Sequence, residues 1–217
     1  MGRSKKIVIS LTSGLQRRAS ARWALLGLGL LLALSSACRD QASRGMPAVF
    51  SSISFTNQEG AALSPDELAD RVLVVNLMFT SCSSVCPRQT RELAEVTASL
   101  PKALTERVRF LSITVDPDND DSAALKRFAR ANGAERDGWL FLRTDTQATE
   151  LLGSRLVAFA PDTQPTPWAH GTTIYLFDRG GRLVQRYRGA PIDVAHLARE
   201  ILAVDDLKPS GARLASN

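Results

Sequence analysis

Val72-Leu73-Val74-Val75-Asn76-Leu77-Met78-Phe79-Thr80-Ser81-Cys82-Ser83-Ser84-Val85-Cys86-Pro87 is the stretch on which the fold turns. Its first half, Val72–Phe79, is an apolar run of the length expected for a buried strand. Pro87 suits the first position of a following helix. Cys82 and Cys86 therefore lie at a strand-to-helix junction, where a helix N-terminus stabilises thiolates. Few chemistries need two soft thiols in such a place: dithiol–disulfide exchange, or capture of a thiophilic metal. Two structural cysteines are the bland alternative, but Ser81, Ser83 and Ser84 make the surroundings polar rather than core-like.

Outward from this junction the pattern alternates. Upstream, Val49–Thr56 reads as a short strand before an Asn57–Gly60 turn, and Ser64-Pro65-Asp66-Glu67 as a capping box opening a short helix. Downstream, Leu93, Val96 and Leu100 share one face of an amphipathic helix that runs from Pro87 to Leu100 and is stopped by Pro101. Val108–Val115 is a second buried strand. Asp116–Asp121 is a turn, and Ser122 caps a helix Ala123–Asn132. Then come a strand Trp139–Leu142, a helix Thr146–Leu152 ended by Gly153, and a loop Ala160–Gly171 holding Trp168 and His170. Thr172–Phe177 and Leu183–Arg188 form a hairpin around Asp178–Gly181, and Asp193 caps a last helix reaching about Val204. This order, with the cysteines at the first long strand-to-helix junction, is the thioredoxin plan: an α/β fold with a mixed central sheet and helices on both faces.

The N-terminus is of another character. Arg3, Lys5, Lys6, Arg17, Arg18 and Arg22 precede an uncharged apolar run, Trp23–Leu34, and the small residues Ser35, Ser36 and Ala37. That is the make-up of a secretory signal, and the run is short for a transmembrane span. Those six basic residues account for the net charge of +5; without them the remainder is −1. The basic balance is thus a targeting property, and nucleic acid is set aside as a partner. Leu34-Ser35-Ser36-Ala37-Cys38 resembles a bacterial lipobox, with Ser35 where Leu is usual, so Cys38 is a candidate for lipidation. Cleavage after Ala37, or an uncleaved anchor, is the alternative. The expected organisation is a signal over 1–37, a linker over 38–48, one domain over 49–204 and a disordered tail over 205–217. The domain lies outside the cytoplasm, where disulfides persist.

Three residues separate the cysteines, one more than in ordinary thioredoxin-type exchange. In a helix-like loop that spacing turns both sulfurs to one side, and two thiolates suit Cu(I) or Zn. Two donors hold a metal incompletely. His196 falls among Ala195, Leu197 and Ala198 inside the last helix and reads as an ordinary helix residue. His170 lies in a loop just before a core strand; the residues alone leave it open between ligand and solvated bystander.

The set of motifs resembles the SCO/SenC family. Phe79-Thr80-Ser81-Cys82-Ser83-Ser84-Val85-Cys86-Pro87 is similar to its FTxCxxVCP box, Ser112–Asp120 to its SVDPxxDT segment, and His170–Asp178 to its H-S/T-xxxYLxD segment. Asn57–Gly60 matches the family's usual opening, and the likeness runs from about Phe55 to Ile201. The resemblance implies a thioredoxin fold holding one copper ion through Cys82, Cys86 and His170. It implies a role in delivering copper to, or reducing the thiols of, the CuA site in a cytochrome c oxidase subunit. Asp116 matches a family aspartate near the metal, where it would orient a ligand or accept a proton. It is also well placed simply to open the turn before Pro117. The sequence departs from the family at Ser83, where Pro is common, at Asp121, where Thr is usual, and at Gly171, where Ser or Thr follows the histidine.

The reading is therefore a copper metallochaperone of the bacterial cell envelope, on the periplasmic side, tethered to the membrane through lipidated Cys38 or an uncleaved signal. Oxidation to a Cys82–Cys86 disulfide would abolish binding, so redox state and metal load are coupled. The competing reading is a thiol-disulfide oxidoreductase with Cys82 as nucleophile and Cys86 resolving. A peroxidase lacks a recognisable activating Arg and Thr, and a closed zinc module wants four ligands where three are found.

Overall fold

The computed structural model describes residues 46–158 and 169–207. The expected signal over 1–37, Cys38, most of the linker, Trp168 and residues 208–217 of the expected tail lie outside the described residues. Six strands form one mixed sheet: β1 (Thr56–Asn57), β2 (Val72–Met78), β3 (Val108–Thr114), β4 (Trp139–Arg143), β5 (Ile174–Phe177) and β6 (Leu183–Tyr187). Their order is β1-β4-β3-β2-β5-β6, with β2, β3 and β4 parallel and the other pairings antiparallel. β2 is central and buried along its whole length, which explains its apolar run, interrupted by the buried Asn76.

Among the described residues four α-helices cover the sheet: α1 (Val85–Ser99), α2 (Ser122–Ala131), α3 (Thr146–Leu156) and α4 (Val194–Asp205). Strand register sorts them. Asn76, Ser112 and Phe141 are in register across β2, β3 and β4 and so share one face. On that face Asn76 bonds Gln89 of α1, Phe141 meets Phe128 of α2 at 6.1 Å, and α4 packs along α1. Leu73 and Phe177 share the opposite face, where Phe177 meets Phe50 at 6.0 Å and Arg155 of α3 bonds the carbonyl of Val49. Helices on both faces of a mixed sheet are thus the observed arrangement.

Several local expectations are corrected. Val49–Thr56 is not a strand: Ala48–Phe50 is a 3-10 turn, Ser52 takes a left-handed conformation (φ 63°), and only Thr56–Asn57 joins the sheet. Phe50 and Phe55 both point into the core, which an alternating strand would not permit across an odd spacing. The Ser64 box opens only a 3-10 turn, Pro65–Glu67, in which the Ser64 N–H donates to Glu67 Oε1 at 2.9 Å. The left-handed Asp70 (φ 54°) then turns the chain into β2. α2 is capped by Asp121, which accepts from the Ala124 N–H, rather than by Ser122. Ser122 instead donates to the Asn57 carbonyl at 2.9 Å. α3 runs through Gly153 to Leu156 because Leu152, Gly153 and Leu156 all lie on its buried face.

Candidate functional site

β2 delivers the chain to Phe79, and the cysteine loop begins there. The Cys82 N–H donates to the Phe79 carbonyl at 3.4 Å, and α1 starts at Val85, so Pro87 is its third residue rather than its first. Ser84 is the residue before the helix, yet its side chain makes no capping bond. The Cys86 N–H instead donates to Cys82 Sγ at 3.4 Å. Sulfur occupies the position that a Ser or Asp oxygen fills at ordinary helix starts, where the exposed N–H groups favour negative charge.

The two thiols are chemically unlike. Both are free; Cys82 is half-buried and Cys86 buried. Partial burial pushes the Cys82 thiol up, but the N–H groups of Cys86, Ser84 and Val85 and the Cys86 thiol outweigh it. Cys82 is therefore held below the ordinary cysteine value. Burial pushes Cys86 up to about 12; the Phe79 backbone only partly offsets this, and neighbouring Cys82 adds to it. The arrangement thus gives one accessible thiolate-prone sulfur beside one protonated, sheltered sulfur.

His170 lies just before β5. Its Nδ1 is 3.0 Å from the Gly171 carbonyl; a carbonyl only accepts, so Nδ1 carries the hydrogen and Nε2 bears the lone pair. That Nε2 is buried and has no hydrogen-bond partner among the described residues, and burial holds the ring below the ordinary histidine value, hence neutral. The ring stands edge-on to Phe79, centroids 5.7 Å apart, which sets it beside the root of the cysteine loop. His196 is an α4 residue whose N–H is capped by Asp193 and whose ring leans on Tyr187.

Asp116 opens the turn before Pro117. Its Oδ1 accepts from Asn119 Nδ2 at 2.9 Å, and its carbonyl accepts from the N–H groups of Asn119 and Asp120. The carboxylate that reaches the cysteine loop is Asp120, 1% exposed, which stands at the second aspartate of the SVDPxxDT-like segment but to which the sequence assigns no role. It accepts from the Thr80 N–H at 3.0 Å, from the Thr80 hydroxyl, and from the Thr114 hydroxyl at 2.5 Å. The start of the loop is thereby clamped to the end of β3.

The structure therefore joins Cys82 to Cys86 and places His170 against the ring that precedes them. Among the described residues no three His, Cys, Asp or Glu side chains stand close enough to hold a metal ion. The donor chemistry nevertheless fits a soft cation: two thiols and one unpartnered, buried, neutral imidazole nitrogen. Cys38 lies outside the described residues.

Comparison with known proteins places these features in a family context. The SCO1/SenC family model matches residues 41–204. A SCO1/SenC family lipoprotein from Bacillus anthracis is 27% identical, with a TM-score of 0.62 over 70% of this chain and 91% of its own. BsSco, described as a member of the Sco family of cytochrome c oxidase assembly proteins with a disulfide switch, is 26% identical. Its TM-score is 0.61, over 76% of this chain and 95% of its own. Yeast Sco1 with copper bound shares the fold at 19% identity and a TM-score of 0.61, over 76% of this chain and 93% of its own.

Proposed function

Because the chain belongs to the SCO1/SenC family, we propose that it is an exported metallochaperone that binds copper and delivers it to the CuA site of cytochrome c oxidase. Cys82, Cys86 and His170 are the proposed ligands. The observation that carries this reading is the buried His170 Nε2 lone pair, without a partner among the described residues and set beside the cysteine loop. A buried acceptor with nothing to accept is costly in a protein that does not use it. Two sulfurs and one nitrogen leave a coordination position through which an incoming thiolate of the oxidase subunit takes the ion by exchange. The copper-bound yeast relative and the oxidase-assembly description of BsSco support a copper role in oxidase assembly.

The split between the thiols favours a second reading, thiol-disulfide exchange on the same partner. The Cys82 thiolate would attack the target disulfide, forming a mixed disulfide and releasing one target thiolate. Cys86, on losing its proton, would then attack Cys82 Sγ, releasing the second target thiol and leaving a Cys82–Cys86 disulfide. Two electrons pass from this chain to the target. Anchorage is proposed through lipidated Cys38 or an uncleaved signal; Cys38→Ala that leaves the protein in the membrane fraction would reject the lipid.

Metal analysis of the reduced protein tests the leading reading. Wild type is expected to retain one copper per chain, Cys82→Ala to lose it, and His170→Ala to bind far more weakly with an unchanged circular dichroism spectrum. Normal copper retention by His170→Ala would remove the histidine from the site. Undiminished reduction of a target disulfide by that variant, with no copper bound by wild type, would favour the second reading.

A further inference from the structure

Beneath the cysteine loop a single buried side chain ties together the elements that carry the two kinds of ligand. Gln89 is one helical turn beyond Cys86 on the inner face of α1 and is 2% exposed. Its Nε2 donates to the carbonyl of Thr172 at 2.7 Å and to the carbonyl of Gly189 at 2.8 Å. Its Oε1 accepts from Asn76 Nδ2 at 3.1 Å. Two carbonyls on one end fix the orientation of the amide, since neither can donate. The chain of bonds continues across the sheet: the Ser112 hydroxyl donates to Asn76 Oδ1 at 2.8 Å, and Trp139 Nε1 donates to Ser112 Oγ at 3.0 Å.

Thr172 is two residues past His170. On the near side of the histidine, the Gly171 N–H donates to the Ala158 carbonyl at 3.0 Å. The backbone following His170 is thus pinned by Ala158 and, through Thr172, by the helix whose first turn carries Cys86. Gly189 is part of the device. A Cβ there would collide with both the Thr172 carbonyl and Gln89 Nε2, so only glycine lets the amide reach both segments.

We propose that Gln89 is a positioning residue that sets His170 in register with Cys82 and Cys86. It does so by locking the backbone leading into β5 to α1, leaving the imidazole ring as the moving part when the ligands close. An apolar side chain of similar length would fill the same space. The reach to both carbonyls is what only the amide supplies. This inference rests on the ligand assignment proposed above.

The test is a double-mutant cycle read as copper affinity of the reduced protein. Gln89→Met keeps the volume and removes the three bonds. It is expected to weaken copper binding by about 10- to 100-fold, the usual cost of removing a residue that orients a metal ligand. In a His170→Ala background the same substitution is expected to cost nothing further, because the residue it positions is gone. Equal losses in both backgrounds, or none in either, would overturn the proposal. A copper-free arm separates this result from failure of the copper reading itself. Long-range proton–nitrogen spectra of the metal-free protein should show the His170 imidazole signals displaced by Gln89→Met; unmoved signals would overturn the proposal whatever the copper result. Should Gln89→Met fail to fold, Gln89→Asn, whose shorter amide cannot span both carbonyls, takes its place in both arms, and the same results support or overturn the proposal.

Discussion

Cys82 and Cys86 share a loop but not an environment, and their reactivity should divide accordingly. Cys82 is held below the ordinary thiol value by N–H groups at the start of α1, and Cys86 is pushed up to about 12 by burial. Thiolate, not thiol, is alkylated. Iodoacetamide should therefore modify Cys82 at neutral pH, with a rate that rises as pH approaches the Cys82 value from below. Cys86 should stay unmodified to well above the pH at which Cys82 reacts, a difference read by mass spectrometry of each single Cys→Ser variant. Equal rates for the two sulfurs would contradict the geometry. At this scale the cysteines are legible in the sequence because thiols at a strand-to-helix junction have few uses. The role of Asp120 is not. It falls within the SVDPxxDT-like segment in the acidic run Asp116–Asp121, and only the fold shows that the end of β3 brings it under Thr80, 40 positions earlier. Gln89 is hidden for the same reason, since its partners Thr172 and Gly189 lie 83 and 100 positions away.

At the scale of elements, β2, β3, β5 and α4 are readable from periodicity, because each presents an apolar run or stripe to the core. The stretch 49–56 is not, since its apolar residues anchor a turn rather than pave a strand. α3 outruns Gly153 because tertiary burial of Leu152 and Leu156 outweighs glycine's poor helix propensity. Its true end stores strain. Val157 is left-handed (φ 53°), with its N–H donating to the Ser154 carbonyl and the following Ala158 N–H to the Gly153 carbonyl. That bonding pattern ordinarily carries glycine. The side chain is 73% exposed, so little packing is lost with it. Val157→Gly should stabilise the domain by about 1 kcal/mol, the left-handed penalty less glycine's added chain entropy. A raised midpoint in urea denaturation checks this; a lowered one would show that Val157 contributes packing its exposure does not suggest.

For the molecule as a whole, the sequence separates a basic N-terminal stretch from a remainder of net charge −1. The mixed sheet then holds its chemistry at one end, where the C-terminal end of β2 meets the lead-in to β5. Thioredoxin-like architecture by itself is neutral between redox exchange and metal capture. Here the two uses compete for the same sulfurs: a Cys82–Cys86 disulfide leaves no thiolate to bind a metal. His170 is what distinguishes them, since exchange needs only the two cysteines whereas a three-coordinate site needs a nitrogen. The most direct test is copper K-edge X-ray absorption on the reduced, copper-loaded protein. Two sulfur scatterers and one imidazole nitrogen, with the nitrogen lost in His170→Ala, are the predicted result. A sulfur-only first shell in the wild type, or an imidazole signal that survives in His170→Ala, would contradict the account.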